Sequence, residues 1–178
     1  MLRLYRRILL LVIISLTLFC SLRSGAVTFE EMLKLDAAYT VGSFIACQAE
    51  LEGNGRDRQP MLIKVHGQVT DRAENVTRYN VRIQFISKQT SSISLTLSYR
   101  QTVTLEENGQ IVHIEPDSLT VSMPGSSAIN EGIVAKVFRD RFASEKNHES
   151  YKSTEITDFP SYIVRKPDEP PLYCHKDS

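Results

Sequence analysis

The sequence lacks the short motifs that commonly mark catalytic or cofactor-binding sites. Its four histidines are scattered through the chain and form no HExxH, HxH or Cys/His zinc spacing. No GxSxG elbow, P-loop or GxGxxG segment occurs, so nothing indicates an α/β-hydrolase, a P-loop NTPase or a dinucleotide-binding enzyme. We therefore predict a non-enzymatic protein with no catalytic residues, no metal and no cofactor.

Positive charge is scarce outside the first 26 residues. The whole chain has 21 basic and 21 acidic residues, but Arg3, Arg6, Arg7 and Arg23 lie in this first part, which contains no acidic residue. The remainder therefore has 17 basic against 21 acidic residues. A domain that binds nucleic acid needs a basic face, so we predict no nucleic-acid partner.

Cysteine is also rare. Of the three cysteines, only Cys47 and Cys174 follow the first 26 residues, and neither belongs to a CxxC pair. In an oxidising compartment such an even pair predicts a disulfide, and a free reactive thiol is the alternative. Cys20 follows the bulky Phe19, where a lipobox needs a small residue, so we interpret it as one more apolar residue of the leader.

One long apolar run is present, from Ile8 to Leu22, and it contains no charge. A basic start before such a run stays in the cytosol, and the chain that follows is exported. The run is short for a membrane span and long for a signal-peptide core. It predicts either a retained single-pass anchor or cleavage after Ser24-Gly25-Ala26, which would release a soluble protein.

These features divide the chain into three parts. Residues 1–26 form the anchor or signal segment, residues 27–43 a short helical stalk, and residues 44–178 an exported β-rich domain. About 150 residues after the leader suffice for one domain with a single core.

Apolar and polar residues alternate along most of the third part, which predicts a mainly β, α+β fold built on an antiparallel meander. Gly67 suggests a bulge or a close backbone approach, and Asn108-Gly109 indicates a tight hairpin turn. The proline-rich tail after Lys166 is predicted to be extended and to carry Cys174 back to the first strand. The predicted strands begin near Phe44, Met61, Tyr79, Ile93, Ile111, Leu119, Thr154 and Tyr162.

Two segments show helical periodicity. Phe29 to Tyr39 suits a short amphipathic helix, which we interpret as the stalk. The second helix is predicted to pack on the sheet through apolar residues that recur at steps of three and four; a helix lying on the membrane is the alternative. These residues are Ile129, Ile133, Val134, Val137, Phe138 and Phe142.

Five residues of the third and fourth strands share one predicted face of the sheet: Ile83, Phe85, Leu95, Leu97 and Tyr99. They are candidates for the interior of a barrel. Two interpretations follow, a dry core filled by these side chains or a pocket for a small amphipathic ligand.

The layout resembles a known family. A basic start and one apolar segment precede Phe44-Ile45-Ala46-Cys47-Gln48-Ala49, and the chain ends in Pro170-Pro171-Leu172-Tyr173-Cys174. This is similar to the FidL-like proteins and, more distantly, to inner-membrane accessory proteins of the PsaF, MyfF and ToxS type. The resemblance implies a calycin-like barrel in the bacterial periplasm, with the leader in the inner membrane. It also implies a ToxR-like transmembrane winged-helix activator as heterodimer partner, and a bile salt or lipid-like molecule as ligand.

The leading hypothesis is thus a periplasmic accessory protein that binds and stabilises the periplasmic domain of such an activator, contributing to environmental sensing. A stand-alone periplasmic β-barrel that binds a small amphipathic ligand is the alternative. An envelope inhibitor or hydrolase is the third class, and a cluster of convergent polar side chains in a cleft would favour it.

Overall fold

A computed structural model describes residues 27–53, 59–144 and 147–177. The predicted leader, its cleavage site and Cys20 lie outside these described residues. The described chain contains two α-helices, which we number α1 and α2, and ten strands, β1 to β10. The helices are α1 Phe29–Ala37 and α2 Ala128–Ser144, and the strands are β1 Phe44–Leu51, β2 Met61–Ala73, β3 Val76–Ser87, β4 Ile93–Glu106, β5 Gly109–Ile114, β6 Thr120–Ser122, β7 Asn147–Glu149, β8 Thr154–Ile156, β9 Tyr162–Val164 and β10 Leu172–Asp177.

All ten strands belong to one antiparallel sheet. Their order is β7-β5-β4-β3-β2-β1-β10-β9-β8, and β6 pairs with β4 beyond the end of β5. The sheet curls through 271° as a half-barrel, and the two ends of the strand order, β7 and β8, do not pair with each other. The prediction of a mainly β fold built on an antiparallel meander is confirmed.

The irregularities of the meander are not where the sequence placed them. The register of β2 and β3 shifts between Val69 and Asp71, whereas Gly67 pairs regularly with Val81. A Cβ added at Gly67 would have its nearest neighbour, Tyr79 Cδ1, at an ordinary 3.7 Å. The expectation of a bulge or close backbone approach at Gly67 is therefore wrong.

The β4–β5 hairpin forms as predicted, but its turn is shifted by one residue. Glu106 pairs with Gly109, so Glu107 and Asn108 make the turn and Gly109 already belongs to β5. A Cβ at Gly109 would lie 2.4 Å from the carbonyl oxygen of Glu149 in β7. Gly109 is needed because β7 approaches it closely.

A disulfide joins the first strand to the last. Cys47 of β1 lies directly opposite Cys174 of β10, with an S–S distance of 2.10 Å and a Cα–Cα distance of 4.1 Å. Both residues are buried. This agrees with the predicted pairing and with an oxidising compartment.

Helix α1 has the predicted position, but it is not a free stalk. Thr28 caps it in a capping box with Glu31, and these residues hold the first turn. Met32, Leu35 and Tyr39 are buried in the same core as the inner face of the sheet. The stalk interpretation is wrong because the apolar side of this helix finds a partner in the concave sheet.

Helix α2 lies where it was predicted, and it packs on β6 of the sheet and on the 3-10 turn Pro116–Ser118. Its apolar residues form two stripes. Val134, Phe138 and Phe142 are half-buried, and Ala135 is buried. Ile129, Ile133 and Val137 are 76%, 60% and 62% exposed, so the expectation that these three also pack on the sheet is wrong.

Within the described ranges, neither helix is long and apolar enough to cross a bilayer.

Candidate functional site

A cavity of about 390 Å³ lies on the concave side of the sheet. Its walls come from β1–β5 on one side and from the C-terminal strands β8–β10 on the other, and Met32, Leu35, Asp36 and Tyr39 close it from the helical side. The volume falls within the range of about 300 to 1,000 Å³ that is typical of small-molecule sites. We treat this cavity as the candidate site.

The structure divides the five predicted lining residues into two groups. Ile83 and Tyr99 line the cavity, and Phe85, Leu95 and Leu97 do not. The register pairs Ile83 with Leu97 and Phe85 with Leu95, so the five are neighbours on one face, as predicted from their parity. Leu97 is only 2% exposed and belongs to the packed part of that face.

Asp36 anchors α1 to the sheet beside the cavity. Its carboxylate forms an ion pair with Arg72 of β2 and accepts hydrogen bonds from the hydroxyls of Thr77, at 3.0 Å, and Tyr79, at 3.1 Å. Arg72 also donates to the backbone oxygens of Asp36, at 2.5 Å, and Tyr39, at 2.6 Å. This network closes one side of the cavity with charges that already have partners.

A second polar group lies on the side of β7. The carboxylate of Glu149 forms an ion pair with Lys166 and accepts a hydrogen bond of 2.9 Å from the amide of Gln110. All three side chains line the cavity and are half-buried. Lys166 is the one cation among the described lining residues, and its charge is compensated by Glu149.

Five tyrosines line the cavity, namely Tyr39, Tyr79, Tyr99, Tyr151 and Tyr162. Three of their hydroxyls are engaged: Tyr39 donates to the carbonyl of Pro160, Tyr79 to Asp36, and Tyr151 to the carbonyl of Glu106. The hydroxyls of Tyr99 and Tyr162 have no hydrogen-bond partner within the described part of the chain.

Burial keeps these phenols protonated. It raises the pKa of Tyr39 to about 12, and burial together with the nearby carboxylate of Glu149 raises the pKa of Tyr99 to about 12. Burial is also the main cause of the raised pKa of Tyr162, followed by Tyr39, Asp36 and Glu149. At neutral pH the free hydroxyls are therefore hydrogen-bond donors.

The chemistry of the cavity is set by the side chains of its described lining. No histidine lines the cavity in the described ranges, and the cysteines that reach it are joined in the disulfide. The same ranges contain no cluster of three or more His, Cys, Asp or Glu side chains placed to hold a metal ion. The polar groups converge without the paired nucleophile and base that nucleophilic catalysis uses.

Sequence reasoning missed most of the polar residues of this site. Asp36 lay in the supposed stalk, and Glu149 lies in β7, a strand that was not predicted from the sequence. Lys166 preceded a tail for which only an extended course was predicted. Tyr162 was placed on its short strand correctly, but nothing in the sequence indicated which cavity that strand would border.

The second candidate surface is the outer face of α2. Ile129, Ile133 and Val137 recur at steps of four residues and form one exposed aliphatic stripe. The opposite side of the helix is held by hydrogen bonds from Met123 N to Glu131 and from Arg139 to the carbonyl of Leu119. We call these three side chains the α2 stripe.

Comparison with protein-family models and with curated protein sequences found no match for this chain. The resemblance to the FidL-like and ToxS-type proteins therefore remains a hypothesis.

Proposed function

We propose that this protein is a periplasmic accessory protein that binds another protein through the α2 stripe. The partner expected from the family resemblance is the periplasmic domain of a ToxR-like transmembrane winged-helix activator, with the leader holding this protein in the same inner membrane. In this role the protein stabilises the activator and contributes to environmental sensing.

The observation that carries the proposal is the exposure of the α2 stripe. Three large aliphatic side chains in register on one helix face are a contiguous apolar surface, which on soluble proteins commonly marks an interaction site. The scarcity of chemical motifs and the chain's acidic balance outside the leader fit a protein that acts by contact. A disulfide-clamped scaffold suits a rigid docking surface in an oxidising compartment.

The test is co-expression with a ToxR-like activator from the same organism, followed by affinity capture and by measurement of the activator's half-life. Ile133→Glu and Val137→Glu place charge in the α2 stripe and should abolish capture and shorten the half-life. Ala128→Glu is the matched control, because Ala128 is exposed at the start of the same helix and lies neither three nor four residues from any member of the stripe. Wild-type capture by both stripe variants, or equal loss in the control, would refute the proposal.

The cavity supports a second candidate function, the binding of a small amphipathic ligand. Its size, its mostly apolar walls and its few polar side chains are those of a small-molecule site. Gly67→Leu tests this candidate, because Gly67 lines the cavity and a Cβ there meets no atom closer than 3.7 Å. The added side chain should fill the cavity and abolish ligand binding without unfolding the protein.

A further inference from the structure

The polar groups of the cavity differ in how much hydrogen-bonding capacity they have left. Asp36 and Glu149 accept from several donors, and Lys166 is paired with Glu149. The hydroxyls of Tyr99 and Tyr162 are unpartnered, and so is the amide of Gln101 beside Tyr99 on β4. The unused capacity is thus that of neutral groups that can donate hydrogen bonds.

These hydroxyls are not sealed into the core. Among the described residues, the one fully buried side-chain polar atom without a hydrogen-bond partner is Nε of Arg72, so neither tyrosine oxygen is enclosed. Both tyrosines line the cavity, Tyr99 from β4 and Tyr162 from β9. The head of a ligand in the cavity could therefore accept hydrogen bonds from these hydroxyls.

The charges around the cavity disfavour an ionised ligand. Of the three carboxylates in its described lining, Asp36 is paired with Arg72, Glu149 is paired with Lys166, and Glu169 is exposed. An anionic head would have to displace Glu149 to reach Lys166, the one cation of that lining. A cationic head would have to displace Arg72 or Lys166 to reach a half-buried carboxylate, and it could not accept a hydrogen bond from the two hydroxyls.

We propose that the cavity binds an amphiphile whose head is an uncharged hydrogen-bond acceptor, such as an amide, ester or alcohol, and that Tyr99 and Tyr162 donate to it. The apolar tail packs on Val81, Val103 and Leu105, which line the cavity from β3 and β4. This inference rests on the second candidate function, ligand binding in the cavity, and is independent of docking through the α2 stripe.

The experiment compares three probes with the same eight-carbon chain: octanamide, octanoate and octylammonium. Each is titrated calorimetrically at pH 7 into the full-length chain held in lipid nanodiscs, with empty nanodiscs as the blank for partition. Octanamide should bind at least tenfold more tightly than either charged probe.

Tyr99→Phe and Tyr162→Phe each remove one donor and keep the ring. Each should weaken octanamide binding roughly two- to tenfold, the range expected for one net hydrogen bond. Folding should be unaffected, because the lost hydroxyls have no intramolecular partner. Tyr173→Phe is the matched control, since Tyr173 is exposed and does not line the cavity.

The outcomes separate the two levels of the proposal. Tighter binding of octanoate or octylammonium, or unchanged octanamide affinity in both tyrosine variants, overturns the head-group assignment while leaving a ligand site. Absence of saturable binding for all three probes, or equal binding by Gly67→Leu, overturns ligand binding itself. The predicted rank order together with losses confined to Tyr99→Phe, Tyr162→Phe and Gly67→Leu supports both.

Discussion

Removing the disulfide should cost this protein a large part of its stability. The bond between Cys47 and Cys174 spans a sequence separation of 127 residues. In the chain-entropy model a loop of that length stabilises the folded state by about 5 kcal/mol at 25 °C, because it restricts the unfolded ensemble. A urea dependence of about 2 kcal/mol/M would convert this into a midpoint lower by about 2.5 M.

The loss should be concentrated in one part of the sheet. The disulfide connects β1 to β10, and β10 connects the sheet to β9 and β8. Reduction should therefore accelerate hydrogen exchange in β8–β10 more than in β2–β4, which keep their own hairpin pairings. Tyr162 and Lys166 belong to the loosened part, so the cavity should lose its C-terminal wall first.

The assay is urea unfolding of the oxidised wild type, the reduced wild type and the Cys47→Ala/Cys174→Ala variant. The reduced protein and the variant should share a low midpoint and a steeper urea dependence, because their unfolded chains are more expanded. The reduced protein isolates the cross-link from the loss of buried sulfur. Equal midpoints before and after reduction, or alkylation of both thiols in the native oxidised sample, would refute the reasoning.

Three further predictions concern the packing around the cavity. Asp36→Ala should lower the free energy of unfolding in urea by about 3 to 5 kcal/mol, because it leaves the half-buried guanidinium of Arg72 without its carboxylate. The control Asp71→Ala removes an exposed ion pair and should cost less than about 1 kcal/mol. Similar losses in the two variants would contradict this. Gly109→Ala should destabilise the protein by about 1 to 3 kcal/mol, since its Cβ would collide with β7. Gly132→Ala in α2, where a Cβ meets nothing within 4 Å, should stabilise it by up to about 1 kcal/mol. An unchanged stability in Gly109→Ala would show that β7 does not pack against Gly109. Stability should fall as the pH rises from about 10, where tyrosine ionises in the unfolded chain, to about 12, the pKa of Tyr99. In a titration of phenolate absorbance at 295 nm, Tyr99→Phe should lack the part of the wild-type increase that occurs near pH 12. If the missing increase is instead the one near pH 10, the phenol of Tyr99 is not buried.

The strands were predictable because the sheet has one buried face. Alternation along β3 and β4 follows directly from an apolar inner face and a polar outer face, and it predicted that Ile83 and Leu97 share one face of the sheet, on which they pair in the structure. The exact position of the β4–β5 turn was not predictable, since an Asn-Gly pair favours a turn but does not determine which two residues occupy its centre. Contact with β7 decided the position of Gly109.

The helices show where periodicity stops being informative. An apolar stripe indicates that a helix has something to bury, but the partner decides which stripe is buried. In α1 the partner was the concave sheet, and in α2 it was a short edge strand that covers only one side. The network around Asp36 joins this residue to side chains that lie 36 to 43 positions later in the chain. No local sequence pattern predicts contacts over such separations.

Helix α2 lies between the two proposed binding sites, the α2 stripe and the cavity. The outer side of α2 carries the stripe, and on its other side the ring of Phe142 lies 5.5 Å, centroid to centroid, from the ring of Tyr99, which lines the cavity. A ligand bound to Tyr99 would therefore touch a side chain that contacts the helix to which the partner would bind. If the two binding events are coupled through this contact, linkage requires that each changes the affinity of the other by the same factor. This reciprocity gives a physical content to sensing: the cavity would report its occupancy through α2, and Phe142 would be the contact that carries it.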